Sequence, residues 1–198
     1  MVSVYQLKPR FQQMLIPVLK SLHKQGVTPN FLTLSAVFLS FLIGLSVGFT
    51  PQMPVLIWMV PGGLLLRMAL NALDGMMART YQMQSKTGEV LNEIGDVVSD
   101  IMVYLPLVIL MPEWQLLLVL FVLMSVINEF AGVLGKVLGG ERRYDGPMGK
   151  SDRAFTIGLA CLLTGIWPGF VEYFPLVIGV ALLLVLVSTG VRLKKSVI

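Results

Sequence analysis

The chain has 198 residues, enough for one domain. With 56% hydrophobic and 13% charged residues and a mean hydropathy of +0.81, its composition excludes an ordinary soluble enzyme. A single cysteine, Cys161, and a single histidine, His23, exclude a disulfide framework, a thiolate metal site and histidine-ligated zinc, and the net charge of +4 sits at membrane borders, so it is no sign of nucleic acid.

Apolar runs near 20 residues without period-2 alternation point to an all-α integral membrane protein rather than a barrel. Residues 1–27 form the first unit. Leu7, Phe11, Met14, Leu15, Val18 and Leu22 recur at helical spacing, with Lys8, Arg10, Lys20 and Lys24 between them. This pattern predicts an amphipathic helix over 3–24 lying in the membrane interface against lipid headgroups. A signal peptide is not expected, because the long apolar run starts only at Phe31 and no small-residue cleavage site follows. Gly26 ends the helix and Thr28-Pro29-Asn30 turns the chain inward.

Residues 28–198 form the second unit, with six spans expected at 31–49, 54–80, 88–110, 114–137, 152–168 and 172–191. The turns at 50–53, 111–113 and 168–173 hold no Lys or Arg, whereas the opposite side carries nearly all of them. The positive-inside rule then places both termini and the acidic stretch in the cytoplasm, as in a bacterial-type inner membrane.

The stretch from Asn71 to Asp100 holds five of the eleven acidic residues. One charge at the bilayer centre costs about 2.5–3.5 kcal/mol, so such a cluster requires water, a paired base or a cation. Spans two and three form a hairpin about the polar turn 81–87, which puts Asn71 level with Asp96, Asp74 with Glu93, and Arg67 with Asp100. Asn71, Asp74, Asn92 and Asp96 can then converge on one point. Four oxygen-bearing side chains there suit a hard cation, Mg²⁺ or Mn²⁺. Asp100 is expected to pair with Arg67 instead of holding the ion. Gly75 and Ala78 leave the facing surface flat, and Gly88 is expected to let the two helices approach closely.

The spacing N-x2-D-G-x2-A-R-x8-G-x3-N-x3-D resembles the CDP-alcohol phosphatidyltransferase family, whose motif is D-x2-D-G-x2-A-R-x8-G-x3-D-x3-D. Here the matching positions are Asn71, Asp74, Gly75, Ala78, Arg79, Gly88, Asn92 and Asp96. The Thr28-Pro29-Asn30 entry and the six-span layout are also similar. The resemblance implies transfer of a phosphatidyl group from a CDP-linked lipid such as CDP-diacylglycerol to a small alcohol, with release of CMP. It further implies a divalent ion on Asn71, Asp74, Asn92 and Asp96, and Asp96 as general base. Asp74, Gly75, Ala78, Arg79, Ser85 and Gly88 fall at its nucleotide positions. Arg79 could instead form a salt bridge to Glu89. Gly149-Lys150 resembles the family's acceptor-pocket element, in a basic loop that also carries Arg142, Arg143 and Arg153. Ser151 and Asp152 are candidate N-caps of the following span. Lys150, Arg153, Arg142 and Glu129 are the acceptor candidates, with a lean toward an anionic acceptor. A homodimer is implied by the resemblance alone.

Asn71 and Asn92 depart from the family's aspartates, leaving two inner charges where the family has four and favouring one ion over two. A catalytically silent homologue that binds CDP-lipid or a partner protein is the alternative. A cation transporter is the third reading, disfavoured because the acids cluster at one border and no repeat halves appear.

Overall fold

A computed structural model describes residues 8–197, all of its regular structure helical. Leu7, on the apolar face expected of the first helix, lies outside the described residues. Seven α-helices run in order: α1 (Lys8–Lys24), α2 (Pro29–Gly48), α3 (Met59–Thr80), α4 (Lys86–Tyr104), α5 (Gln115–Val137), α6 (Lys150–Ile166) and α7 (Phe174–Ser196).

Local chemistry sets their ends. Gly26 takes a positive φ of 76° after α1, a conformation that costs glycine nothing. The Thr28 hydroxyl caps α2 by accepting from the Phe31 amide at 3.3 Å, with Pro29 in the first turn. Ser85 caps α4 in the same way, accepting from the Gly88 amide at 3.0 Å. The third span was expected as one helix over 88–110. Instead α4 stops at Tyr104, and Leu105–Leu110 continues as a 3₁₀ helix around Pro106, which cannot supply an amide to an α-helical ladder. The α6 cap also differs from expectation. Gly149 is the N-cap and Asp152 lies at the third helical position, where its carboxylate accepts from the Gly149 amide at 3.0 Å.

Four helical segments are long and apolar enough to cross a membrane: Pro29–Gly48, Pro54–Thr80, Pro112–Val137 and Pro168–Ser196. The other two long helices differ for a physical reason. The α4 helix carries Lys86, Glu89, Glu93, Asp96 and Asp100, and α6 has only 17 residues and begins Lys-Ser-Asp-Arg.

Packed pairs close a ring: α2 on α3, α3 on α6, α6 on α7, α7 on α5, α5 on α4 and α4 back on α2. The α1 helix lies against α3. At the α2–α4 contact a Cβ on Gly44 would stand 2.1 Å from the Met102 carbonyl oxygen, so only glycine permits that approach. The main core fills the ring with Ile43, Leu64, Tyr104, Phe121, Ile157 and Ile178. A second cluster of Leu19, Leu32, Leu73, Met76 and Met77 seats α1. Phe38, Leu65, Leu123 and Leu183 point outward and are exposed, as a lipid-facing rim requires.

Candidate active site

The hairpin of α3 and α4 does not close on itself. Each helix packs on α2, and the two meet each other chiefly through polar side chains. The space left between them, bounded also by α6 and the loop before it, is a cavity of about 860 Å³. That falls in the range of small-molecule sites. Asn71, Asp74, Gly75, Ala78, Arg79, Ser85, Gly88 and Asn92 all line it, with Glu129, Arg142 and Lys150 also on its wall.

Two of the three expected rungs across the hairpin are present. Arg67 Nη2 donates to Asp100 Oδ1 at 2.7 Å, and Asn71 Nδ2 donates to Asp96 Oδ1 at 3.3 Å. The third is not. Asp74 turns toward α2, where the Thr33 hydroxyl donates to its Oδ2 at 2.9 Å, and Glu93 turns outward to Arg142 Nε at 2.6 Å. Asp96 is buried and stands just behind the cavity wall, because the Lys150 ammonium covers its Oδ2. Gly88 serves a different contact from the one expected. A Cβ there would meet Asn30 Oδ1 at 2.8 Å, so this glycine admits the N-terminus of α2 rather than α3.

Behind the cavity lies a buried ion network. Asp100 also accepts from Arg153 Nη2 at 2.8 Å, and the same Nη2 donates to Glu129 Oε1 at 2.9 Å. Glu129 takes Arg142 Nη2 on its other oxygen at 2.9 Å and faces Arg192 Nη1 at 3.5 Å. Arg192 in turn donates to the Asn128 carbonyl at 2.7 Å and to the Asp145 carbonyl at 3.2 Å. Buried charges stand only when paired and hydrogen-bonded, and each of these carboxylates has a guanidinium partner.

The expected acceptor residues therefore separate into two groups. Arg142 and Lys150 reach the cavity wall. Arg153 does not: it is 0% exposed, with its guanidinium spent on Asp100, Glu129, the Asn128 side chain and the Met148 carbonyl. Glu129 lines the cavity but is buried and shared among three arginines. Burial opposes the Arg142 charge, yet Tyr144, Glu129 and Glu93 more than offset it, so its pKa is raised above the usual arginine value. Arg79 makes no bridge to Glu89, which pairs with Lys136. Its guanidinium lies over Gly75 on the cavity wall.

Arg192, Asn128 and the Glu93–Arg142 contact had no place in the sequence reading of the site. Arg192 looked like an orientation charge at the end of an apolar run. The available signal was the number of arginines per carboxylate, which requires several pairings inside the bundle.

Among the described residues no three Asp, Glu, His or Cys side chains group as a metal site, as follows from amides at two of four motif positions. Asn71, Asp74 and Asn92 nevertheless offer oxygens to one cavity, with Asp96 adjoining. Asp74 also has an orienting hydroxyl on its outer oxygen. The set fits one hard, oxygen-preferring cation.

A helical bundle with membrane-length segments, an oxygen-rich cavity at one end and this motif along its wall has the form of a membrane-embedded site for a phosphorylated ligand. The chain belongs to the CDP-alcohol phosphatidyltransferase family, whose model matches residues 26–190. It is 43% identical over 197 residues to the "Inner membrane protein YnbA" of Escherichia coli (strain K12), covering 100% of this chain and 97% of that protein. Its fold is similar to that of Mycobacterium tuberculosis phosphatidylinositol phosphate synthase (PgsA1). The structure with CDP-DAG bound superposes with a TM-score of 0.75, covering 91% of this chain and 92% of that one at 16% identity. The structure in complex with manganese and citrate gives a TM-score of 0.76, covering 91% and 87%, also at 16% identity.

Proposed function

We propose that this protein transfers a phosphatidyl group from a CDP-linked lipid of the CDP-diacylglycerol type to an alcohol, releasing CMP. The observation that carries the reading is that the family motif lines one cavity, with Asp96 at its edge under the ammonium of Lys150 from α6. Family membership and the CDP-DAG complex of the mycobacterial synthase support the same substrate class.

In the reaction, the acceptor hydroxyl oxygen bonds to the lipid-side phosphorus. The bond from that phosphorus to the CMP oxygen breaks, and CMP leaves. Asp96 takes the hydroxyl proton. For that, Lys150 must move off Oδ2, since Oδ1 already accepts from Asn71. Arg79 meets the phosphates, with the surface of Gly75 and Ala78 leaving room for the nucleotide, and Ser85 and Gly88 close that end. Asn71, Asp74, Asn92 and Asp96 would hold one Mg²⁺ or Mn²⁺, which supplies charge neutralisation on the diphosphate when bound. The manganese complex of the mycobacterial synthase supports that choice of ion.

The same reading places all six helices α2 to α7 across an inner membrane, with α1 in its interface and the cavity and both termini on the cytoplasmic side. The name of the Escherichia coli relative and the one-sided distribution of Lys and Arg support it. A homodimer is adopted from family resemblance.

The silent-homologue reading is favoured by one observation, the Lys150 ammonium seated on Asp96. The deciding experiment is CMP release by purified protein from CDP-diacylglycerol against Mg²⁺ or Mn²⁺ concentration, with a panel of alcohols. Metal-dependent release supports the transferase. No release with any alcohol favours the silent homologue, and release that survives chelation overturns the metal-dependent reading.

A further inference from the structure

We propose that the acceptor is an alcohol without net negative charge, uncharged or zwitterionic, and that Glu93 and Glu129 exclude its phosphorylated counterparts. The inference rests on the transferase reading and specifies the substrate class of that site.

The argument is one of charge balance. Five cations stand on or behind the acceptor side of the cavity: Arg67, Arg142, Lys150, Arg153 and Arg192. All five are paired with the chain's own carboxylates, and when Lys150 leaves Asp96 for the reaction both charges stay on the acceptor side, so the balance is unchanged. Arg67 and Arg153 hold Asp100, Lys150 holds Asp96, Arg142 holds Glu93 and Glu129, and Arg192 faces Glu129. Asp74 completes five carboxylates against five cations. The amide at the start of α6, which could otherwise greet an anion, already donates to Asp152. The dianionic diphosphate of a CDP-lipid and one divalent ion cancel each other and leave this balance unchanged.

The opposite end of the cavity is different. Arg79 and Lys86 line it and form no ion pair among the described residues. Uncompensated positive charge is thus found where the nucleotide diphosphate would lie and is missing where the acceptor would lie. A phosphorylated alcohol would have to draw Arg142 from Glu93, which pairs with no other cation among the described residues, and from Glu129, which would keep Arg153 and Arg192. A hydroxyl-bearing neutral molecule meets no such cost.

The test is CMP release by the full-length protein, with CDP-diacylglycerol and Mn²⁺, on matched pairs: glycerol and glycerol 3-phosphate, inositol and inositol phosphate, serine and phosphoserine. The expected result is at least a tenfold preference for the unphosphorylated member of the pair that reacts. Preference for a phosphorylated member overturns the proposal. Glu93→Gln, which leaves Arg142 paired with Glu129 alone, is expected to raise kcat/KM for the phosphorylated member at least tenfold, and no gain overturns the role of Glu93. If no alcohol supports release, the transferase reading fails. The charge argument is then decided by inorganic phosphate, read as a shift in thermal unfolding midpoint. Phosphate is expected to protect wild type and Arg142→Gln equally, and Glu93→Gln more. Protection of wild type that is lost in Arg142→Gln overturns the inference.

Discussion

Arg67 and Asp100, 33 residues apart, meet at 2.7 Å in the middle of the bundle, with 4% and 6% of their side chains exposed. Asp100 is the more heavily committed of the two, because its second oxygen holds Arg153. Removing one partner of a buried pair costs about 3–5 kcal/mol, since the other charge is left bare. Asp100→Ala strands Arg67 and leaves Arg153 with Glu129 alone, whereas Arg67→Met strands neither, because Asp100 keeps Arg153. Thermal unfolding in detergent should therefore show Asp100→Ala as the more damaging change, and equal losses would refute this ordering.

Among the described residues, Asp96 is the carboxylate hydrogen-bonded by both Lys150 and Asn71. Asp96→Asn keeps the shape and removes the proton acceptor. Turnover should fall by about 10²–10⁴ while binding of CDP-diacylglycerol persists. Parallel measurement of CMP release and lipid binding checks this, and a variant with near wild-type turnover would rule out Asp96 as the base.

The Thr33 hydroxyl donates to Asp74 Oδ2 and also lies 3.2 Å from the Pro29 carbonyl. The bond to Asp74 fixes which carboxylate oxygen faces the cavity. Thr33→Val should weaken Mn²⁺ binding by about 10–100-fold, the usual effect of losing a partner behind a ligand. Asn71→Asp with Asn92→Asp should tighten it. Mn²⁺ titration followed by electron paramagnetic resonance reads both without reference to activity.

Gly44 and Gly48 lie one turn apart on α2 and make a matched test of packing. A Cβ at Gly44 would collide with the Met102 backbone, whereas one at Gly48 would meet nothing within 4 Å. Gly44→Ala should cost at least about 1–3 kcal/mol, as overpacking does. Gly48→Ala should be neutral or slightly stabilising. Unfolding midpoints for the pair that do not differ would contradict the close α2–α4 approach.

How much of this could be read from the residues depends on which coordinate is asked for. Depth along a hairpin follows from residue numbers at 1.5 Å each, and so Arg67–Asp100 and Asn71–Asp96 were legible. Rotation is harder. Glu93 is level with Asp74, but it is one residue on from Asn92 and so about 100° around α4, which sends it to Arg142. Asp74 found its partner on α2, a helix outside the hairpin. Arg153 shows the same limit. A cation at a helix start could face a ligand or the bundle, and Asp100 and Glu129, distant in sequence, draw it inward. Pro106 is a visible breaker, and the residues after Tyr104 could have been taken out of α4 on that ground.

The pairing of Asp100 and Glu129 bears on how the chain is made. Both precede Arg142, Arg153 and Arg192, the guanidiniums they hold. A carboxyl can wait in an apolar setting as the neutral acid, whereas a guanidinium keeps its proton. Synthesis from the N-terminus therefore delivers first the groups that can shed their charge, and afterwards those that cannot. Arg67 reverses the order, since Asp100 emerges 33 residues later. On the proposed six-span reading, helix α3 then has no neutral way to settle alone, and α3 and α4 have to enter the membrane together as one hairpin.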